Sequence, residues 1–117
     1  MKPSEYYKEG FTCGEAMIKA YNEEHNTDLP VSIGSSMGTG FTVGSVCGAV
    51  GAAAGIIGLL KGRESCDVPN EARKYTKQLM QDVREKYDTE ICRELKQKNV
   101  SCNDIIEYTY EMLNKIL

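Results

Sequence analysis

The chain has 117 residues, of which 26% are charged, and its formal net charge at pH 7 is −3. This length is typical of one domain whose core needs no disulfide bonds. The acidic balance excludes a basic nucleic-acid-binding surface and a polybasic membrane anchor. Residues 1–11 lack the apolar stretch of a signal peptide, so we expect a cytoplasmic protein whose thiols stay reduced.

Two short helices are predicted before a glycine-rich segment. Residues 4–8 are expected to form the first helix, which Gly10 ends. Thr12 and Glu15 form a capping box, which predicts a second helix from Cys13 to about His25. Residues 31–44 carry no charge and contain several glycines. For them we expect a short helix or turn, followed by a loop that lies close to the core.

The segment from Val46 to about Leu60 is uncharged and has small or aliphatic side chains on every helical face. A helix without a polar face is not stable on a protein surface. The segment is also shorter than the roughly 20 residues that span a bilayer. It therefore predicts a central helix that is buried on all sides, with no membrane span. Its glycines, which are expected to admit neighbouring backbones or a second copy of the chain, are Gly48, Gly51, Gly55 and Gly58.

The second half of the chain predicts three more helices after a polar connector, residues 61–70. The longest runs to about Tyr87, with an apolar stripe at helical spacing that includes Leu79 and Val83 and is expected to face the core. Asp88 or Thr89 is expected to cap a short helix that contains Cys92. Ser101 or Asn99 is expected to cap the last helix. No segment shows a useful length of the alternation of apolar and polar residues that is typical of a β-strand. The prediction for residues 1–117 is a single all-α domain, a compact helical bundle around the Val46–Leu60 helix.

Five cysteines are many for a cytoplasmic chain, and none forms a CxxC pair. Four are predicted in the first turn of a helix, where the helix dipole favours a thiolate and lowers the thiol pKa. An antiparallel chain path brings these four to one end of the bundle and leaves Cys66 at the other. Cys47 is expected to be the most reactive. The four candidate site residues are Cys13, Cys47, Cys92 and Cys102.

This arrangement resembles the bacterial and archaeal family of putative redox-active proteins with the C_GCAxxG_C_C motif. The first cysteine follows Gly10-Phe11-Thr12, and the glycine-rich stretch leads into Cys47-Gly48-Ala49-Val50. Cys92 and Cys102 stand for the two later cysteines. The resemblance covers nearly the whole chain and implies a redox role for these four residues, without a defined substrate.

Three kinds of function remain open at this stage, and the sequence does not decide whether the chain is an enzyme. The four cysteines could exchange thiols and disulfides or transfer electrons with a redox partner protein or a small thiol. The same four could instead bind zinc or an iron–sulfur cluster. They could also be structural residues of a non-enzymatic helical interaction domain, because free cysteines are often buried. His25 is expected at the opposite end of the bundle from the cysteines.

Overall fold

The computed structural model describes all 117 residues and is all-α, as predicted. A 3₁₀ helix, Val31–Ser36, and a wide turn, Gly40–Gly44, connect the second and third α-helices. No helix is long and apolar enough to cross a membrane. The six α-helices are α1 Pro3–Lys8, α2 Cys13–His25, α3 Gly48–Lys61, α4 Ala72–Tyr87, α5 Cys92–Gln97 and α6 Cys102–Ile116.

Helix α3 is the centre of the fold, and α2, α4 and α6 pack against it. It begins at Gly48 rather than Val46, because Cys47 is its N-cap and has a non-helical backbone, with φ of −51° and ψ of 131°. Its first ten residues supply six of the 17 residues of the main buried core, including Val50, Ala53 and Ile57.

The prediction that α3 is buried on all sides is wrong for its last turn. Leu59 is 53% exposed and Leu60 40% exposed, because this turn extends beyond the helices that cover the rest. Gly55 and Gly58 face open space, so they do not admit a neighbouring backbone as expected.

Local capping residues determine where the other helices begin. Thr12 and Glu15 form the predicted capping box of α2, and the Ser101 hydroxyl accepts the Asp104 N–H at 3.1 Å at the start of α6. Helix α5 starts differently from the prediction, since its N-cap is Ile91 and not Asp88 or Thr89. The Thr89 hydroxyl instead accepts the Ile91 N–H at 3.0 Å and so holds the residues before α5 in a turn.

One antiparallel bridge, between Val46 and Ile91, joins the start of α3 to the start of α5. The Cys47 N–H donates to the Glu90 carbonyl at 2.8 Å, and the Cys92 N–H donates to the Ser45 carbonyl at 2.7 Å. These two bonds fix residues far apart in sequence side by side, so the backbones at Cys47 and Cys92 are neighbours.

Candidate functional site

The four cysteines predicted to form the site all lie at the beginnings of helices. Cys13, Cys92 and Cys102 are the first residues of α2, α5 and α6, and Cys47 directly precedes α3. All are free thiols, as is the exposed Cys66 in the connector between α3 and α4. Cys13, Cys47 and Cys92 are buried, whereas Cys102 is only half-buried. Cys102 is therefore the one of the four that solvent reaches most easily.

Gly48 lets the start of α2 approach the start of α3. A Cβ atom at this position would lie 2.4 Å from the Cys13 sulfur and 2.2 Å from the Met37 carbonyl oxygen. Real Cβ atoms do not approach other atoms so closely, so only glycine fits here without a shift of the backbone. The expectation that this glycine permits close packing is confirmed, and what it admits is the sulfur of Cys13.

The loop before α3 passes over Cys92. Gly40 has a left-handed backbone with φ of +60°, and a Cβ atom there would lie 2.5 Å from the Cys92 Cβ. Three neighbouring residues that are not glycine, Thr39, Phe41 and Thr42, also have positive φ values, between 53° and 67°. Such residues carry local strain, which is most often found at functional sites.

The position of the cysteines at helix starts predicted low thiol pKa values, but burial raises the pKa of Cys13 and Cys47. Burial raises the pKa of Cys47 to about 12, and the N–H groups of Val50 and Ala49 only partly offset it. The pKa of Cys13 is raised for the same reason, against the effect of the Thr39 N–H. The prediction that Cys47 is the most reactive thiolate is therefore contradicted by its burial: removal of the sulfur from water outweighs the helix dipole.

Charges on other cysteines contribute to the raised pKa values of Cys13 and Cys47. A charge on Cys102 raises the pKa of Cys13, and charges on Cys13 and Cys92 raise the pKa of Cys47. Together with the contact at Gly48 and the bridge at Val46, these effects describe a series that runs from Cys102 through Cys13 and Cys47 to Cys92. That the series acts as one chemical site stays a prediction.

Tyr7 is a neighbour of this series that the sequence did not identify. The neighbouring Cys102 side chain raises the pKa of Tyr7 to about 12, and burial and charges on Cys102, Cys13 and Cys92 act in the same direction. No local signal distinguishes Tyr7 from Tyr6, because both are aromatic residues of the same short helix. In the fold, the Tyr6 hydroxyl donates to Glu23 at 2.8 Å, and Tyr6 belongs to a separate apolar cluster with Ala16 and Ala20.

The side chains do not fit a metal site in this fold. A zinc ion held by four thiolates needs all four sulfurs at about 2.3 Å. No three or more His, Cys, Asp or Glu side chains are arranged to hold a metal ion. The alternative of a zinc or iron–sulfur site at Cys13, Cys47, Cys92 and Cys102 is therefore without geometric support, and we assign no step to a metal.

The side chain of His25, at the end of α2, contacts Tyr21 and Asn114. Its ring stacks on Tyr21 with 4.1 Å between the ring centroids, and its Nε2 lies 2.7 Å from the side-chain oxygen of Asn114. This environment gives His25 a structural role at the contact of α2 with α6.

Comparison with known proteins gives one match. The model of a family described as "Putative redox-active protein (C_GCAxxG_C_C)" matches residues 11–116, which include all five cysteines. No curated protein and no solved structure matches the chain significantly. When the GCAxxG part of the motif is aligned on Cys47, Gly48 occupies the position of the motif's alanine and Gly51 the position of its second glycine.

Proposed function

The chain belongs to the family of putative redox-active proteins with the C_GCAxxG_C_C motif, and on that premise we propose that it exchanges thiols and disulfides. The observation that carries the proposal is the set of four free thiols at helix starts, in which the Cys13 sulfur lies beside Gly48, next to Cys47, and a backbone bridge joins the segments of Cys47 and Cys92. Thiol–disulfide exchange needs neighbouring sulfurs that can attack one another in turn. The reacting residues we assign are Cys102, Cys13, Cys47 and Cys92.

Cys102 is the thiol that reacts first with the partner. It is the most accessible of the four, since it is half-buried whereas the other three are buried. Cys13 and Cys47 are protonated at neutral pH, because burial raises the pKa of both thiols. Since the thiolate is the nucleophile, these two react slowly with outside molecules and serve as internal partners.

The reaction begins with a partner, a protein or a small molecule, that carries a disulfide. The Cys102 thiolate attacks one partner sulfur, so that a new S–S bond forms while the partner's bond breaks. The partner's second sulfur leaves as a thiolate and takes a proton from water. Cys13 then loses its proton to water and attacks the Cys102 sulfur, which releases the partner's first sulfur as a thiolate. The partner gains two electrons, and a disulfide joins Cys13 to Cys102.

Cys47 and Cys92 form a second, inner pair. The bridge between Val46 and Ile91 holds their backbones together, and the Cys13 sulfur lies beside Gly48, next to Cys47. Cys47 can attack Cys13 of the outer disulfide, which frees Cys102 as a thiolate, and Cys92 then resolves the new bond. In this scheme the chain stores up to four electrons in two dithiols.

Counting thiols in protein purified without oxygen tests the proposal. Treatment with oxidised dithiothreitol or glutathione disulfide is expected to remove first two and then four thiols reversibly. Peptide mapping of the fully oxidised protein should find Cys13 joined to Cys102 and Cys47 joined to Cys92. The Cys66→Ser variant serves as the matched control and should behave in the same way, because Cys66 is exposed in a distant connector. If only Cys66 reacts, or if all thiols persist, the cysteines are structural. Metal bound stoichiometrically to the wild type and lost in Cys47→Ser would instead support a metal site.

A further inference from the structure

The segment before α3 that packs on Cys92, residues 39–44, has one aromatic side chain, Phe41, which lies on Gly51 of α3. We propose that this segment is a lid over Cys92 and that the contact of the Phe41 ring with Gly51 keeps the lid closed. The role of the lid rests on the proposed function, in which partners react first at Cys102. A closed lid prevents an outside disulfide from reaching Cys92 directly, so Phe41 determines which thiol an outside molecule meets.

The lid is in direct contact with Cys92. A Cβ atom at Gly40 would lie 2.5 Å from the Cys92 Cβ, so the backbone of the lid packs against this residue. The Ser45 N–H donates to the Gly40 carbonyl at 2.8 Å, and the Ser45 carbonyl in turn accepts the Cys92 N–H. Cys92 is buried, whereas all other residues of α5 except Leu95 are exposed. The lid therefore separates Cys92 from solvent on a helix that is otherwise largely exposed.

The backbone of the lid favours opening. Thr39, Phe41 and Thr42 have φ values of 53°, 56° and 67°, a left-handed conformation that costs free energy in any residue with a β-carbon. Such strain persists only where the surrounding structure opposes it. The side chains of Thr39, Thr42 and Val43 are exposed, and Val43 is 72% exposed. Phe41 is the remaining large side chain of the lid that can offset the strain.

Gly51 allows the Phe41 ring to pack directly on the backbone of α3. A Cβ atom at Gly51 would lie 2.7 Å and 2.8 Å from two ring carbons, Cε1 and Cζ. The ring is partly buried by this contact, and Phe41 as a whole is 40% exposed. Gly51 occupies the position of the second glycine of GCAxxG, so the contact also gives this glycine a role. One partly exposed ring that opposes a strained backbone is typical of a segment that opens locally.

Alkylation of the fully reduced protein by iodoacetamide tests the lid. A buried thiol reacts while its cover is open, so its rate reports the population of the open form. Phe41→Ala removes the ring but keeps the backbone strain, because alanine also carries a β-carbon. We expect Cys92 of this variant to react about tenfold faster than in the wild type, since the partial burial of a phenylalanine ring contributes about that factor to the equilibrium.

Gly51→Ala disturbs the same contact from the opposite side. Its Cβ atom overlaps with the end of the Phe41 side chain, which can move, and alanine is favoured within a helix. The variant should therefore fold, displace the ring and speed the alkylation of Cys92 by about threefold or more. The double variant should react no faster than Phe41→Ala alone, because both changes remove one contact.

Each variant has a matched control in the same element. Val43→Ala shortens the most exposed side chain of the lid and should leave the alkylation rate of Cys92 unchanged. Gly55→Ala adds a methyl group one turn after Gly51, where a Cβ atom would meet nothing within 4 Å. It should also leave the rate unchanged, so that a faster reaction in Gly51→Ala is due to the Phe41 ring and not to the added helix propensity.

Trypsin makes the readout specific, because cleavage after lysine and arginine separates the five cysteines. Peptide 87–93 reports Cys92 alone, and peptide 20–61 reports Cys47. A wild-type rate of Cys92 in Phe41→Ala or in Gly51→Ala would overturn the proposal. So would an equal acceleration of Cys47, because the variant would then loosen the whole fold and not the lid. The experiment uses only reduced protein, so failure of the lid and failure of the proposed thiol–disulfide exchange are distinguishable.

Discussion

The buried thiol of Cys47 should make the stability of the protein fall in alkaline solution. Burial raises the pKa of Cys47 to about 12 in the folded state, whereas a thiol in an unfolded chain has a pKa of about 8.5. The folded protein therefore holds a proton that the unfolded chain releases. The resulting stabilisation is complete below pH 8.5 and is lost progressively as the pH rises towards 12.

The size of this loss follows from the two pKa values. One pH unit between them is worth about 1.4 kcal/mol, so the free energy of unfolding should fall by about 2 kcal/mol between pH 8.5 and pH 10. Cys13 adds to this loss, because burial raises its pKa too. The tyrosines do not contribute much below pH 10, since the pKa of an unfolded tyrosine is about 10.

Urea denaturation with a reductant, at pH values from 7 to 10, measures the effect in the wild type and in Cys47→Ala. The variant should be about 1 kcal/mol less stable at pH 7, because a small buried side chain is lost. Its free energy of unfolding should then fall less steeply with pH than that of the wild type. Between pH 7 and pH 10 the decrease should be smaller by about 2 kcal/mol, because the contribution of Cys47 is absent. Cys66→Ala, which alters an exposed thiol, should keep the wild-type slope. An equal slope in Cys47→Ala would refute the reasoning and would mean that Cys47 ionises in the folded protein as readily as in the unfolded chain.

Two further predictions concern packing. Ala53 is completely buried, so Ala53→Asp should lower the free energy of unfolding, measured by urea denaturation, by about 3–5 kcal/mol. The control is Gly58→Ala on the same helix. Because Gly58 faces open space, this change should raise the free energy of unfolding by up to about 1 kcal/mol. Gly40→Ala should cost at least about 2 kcal/mol and speed the alkylation of Cys92, because it combines a positive φ with a Cβ atom 2.5 Å from that residue. Gly44 also has a positive φ, but a Cβ atom there would make only an ordinary contact, 3.5 Å from the Arg93 Cβ. Gly44→Ala should therefore cost about 1 kcal/mol and leave the alkylation of Cys92 unchanged.

The sequence by itself determined the helices and their beginnings wherever the signal is local. Thr12 and Glu15 lie three residues apart and cap the same turn, so the start of α2 does not depend on the rest of the fold. The apolar stripe of α4 likewise predicted that Leu79 and Val83 are buried. The position of four cysteines at helix starts was correct apart from one residue, since Cys47 precedes α3 rather than lying within it.

Only the tertiary structure decided what those helix starts do to the thiols. The dipole of a helix is set by its own backbone, but the desolvation of Cys47 comes from segments distant in sequence, among them residues 90–92 across the bridge. A sequence pattern cannot measure that burial, and burial proved the larger effect. In the same way, Tyr7 and Cys102 are 95 positions apart, and their contact exists because α1 packs on α6. Contacts between distant segments therefore set how deeply each of the four thiols is buried, while local patterns only place the thiols on their helices.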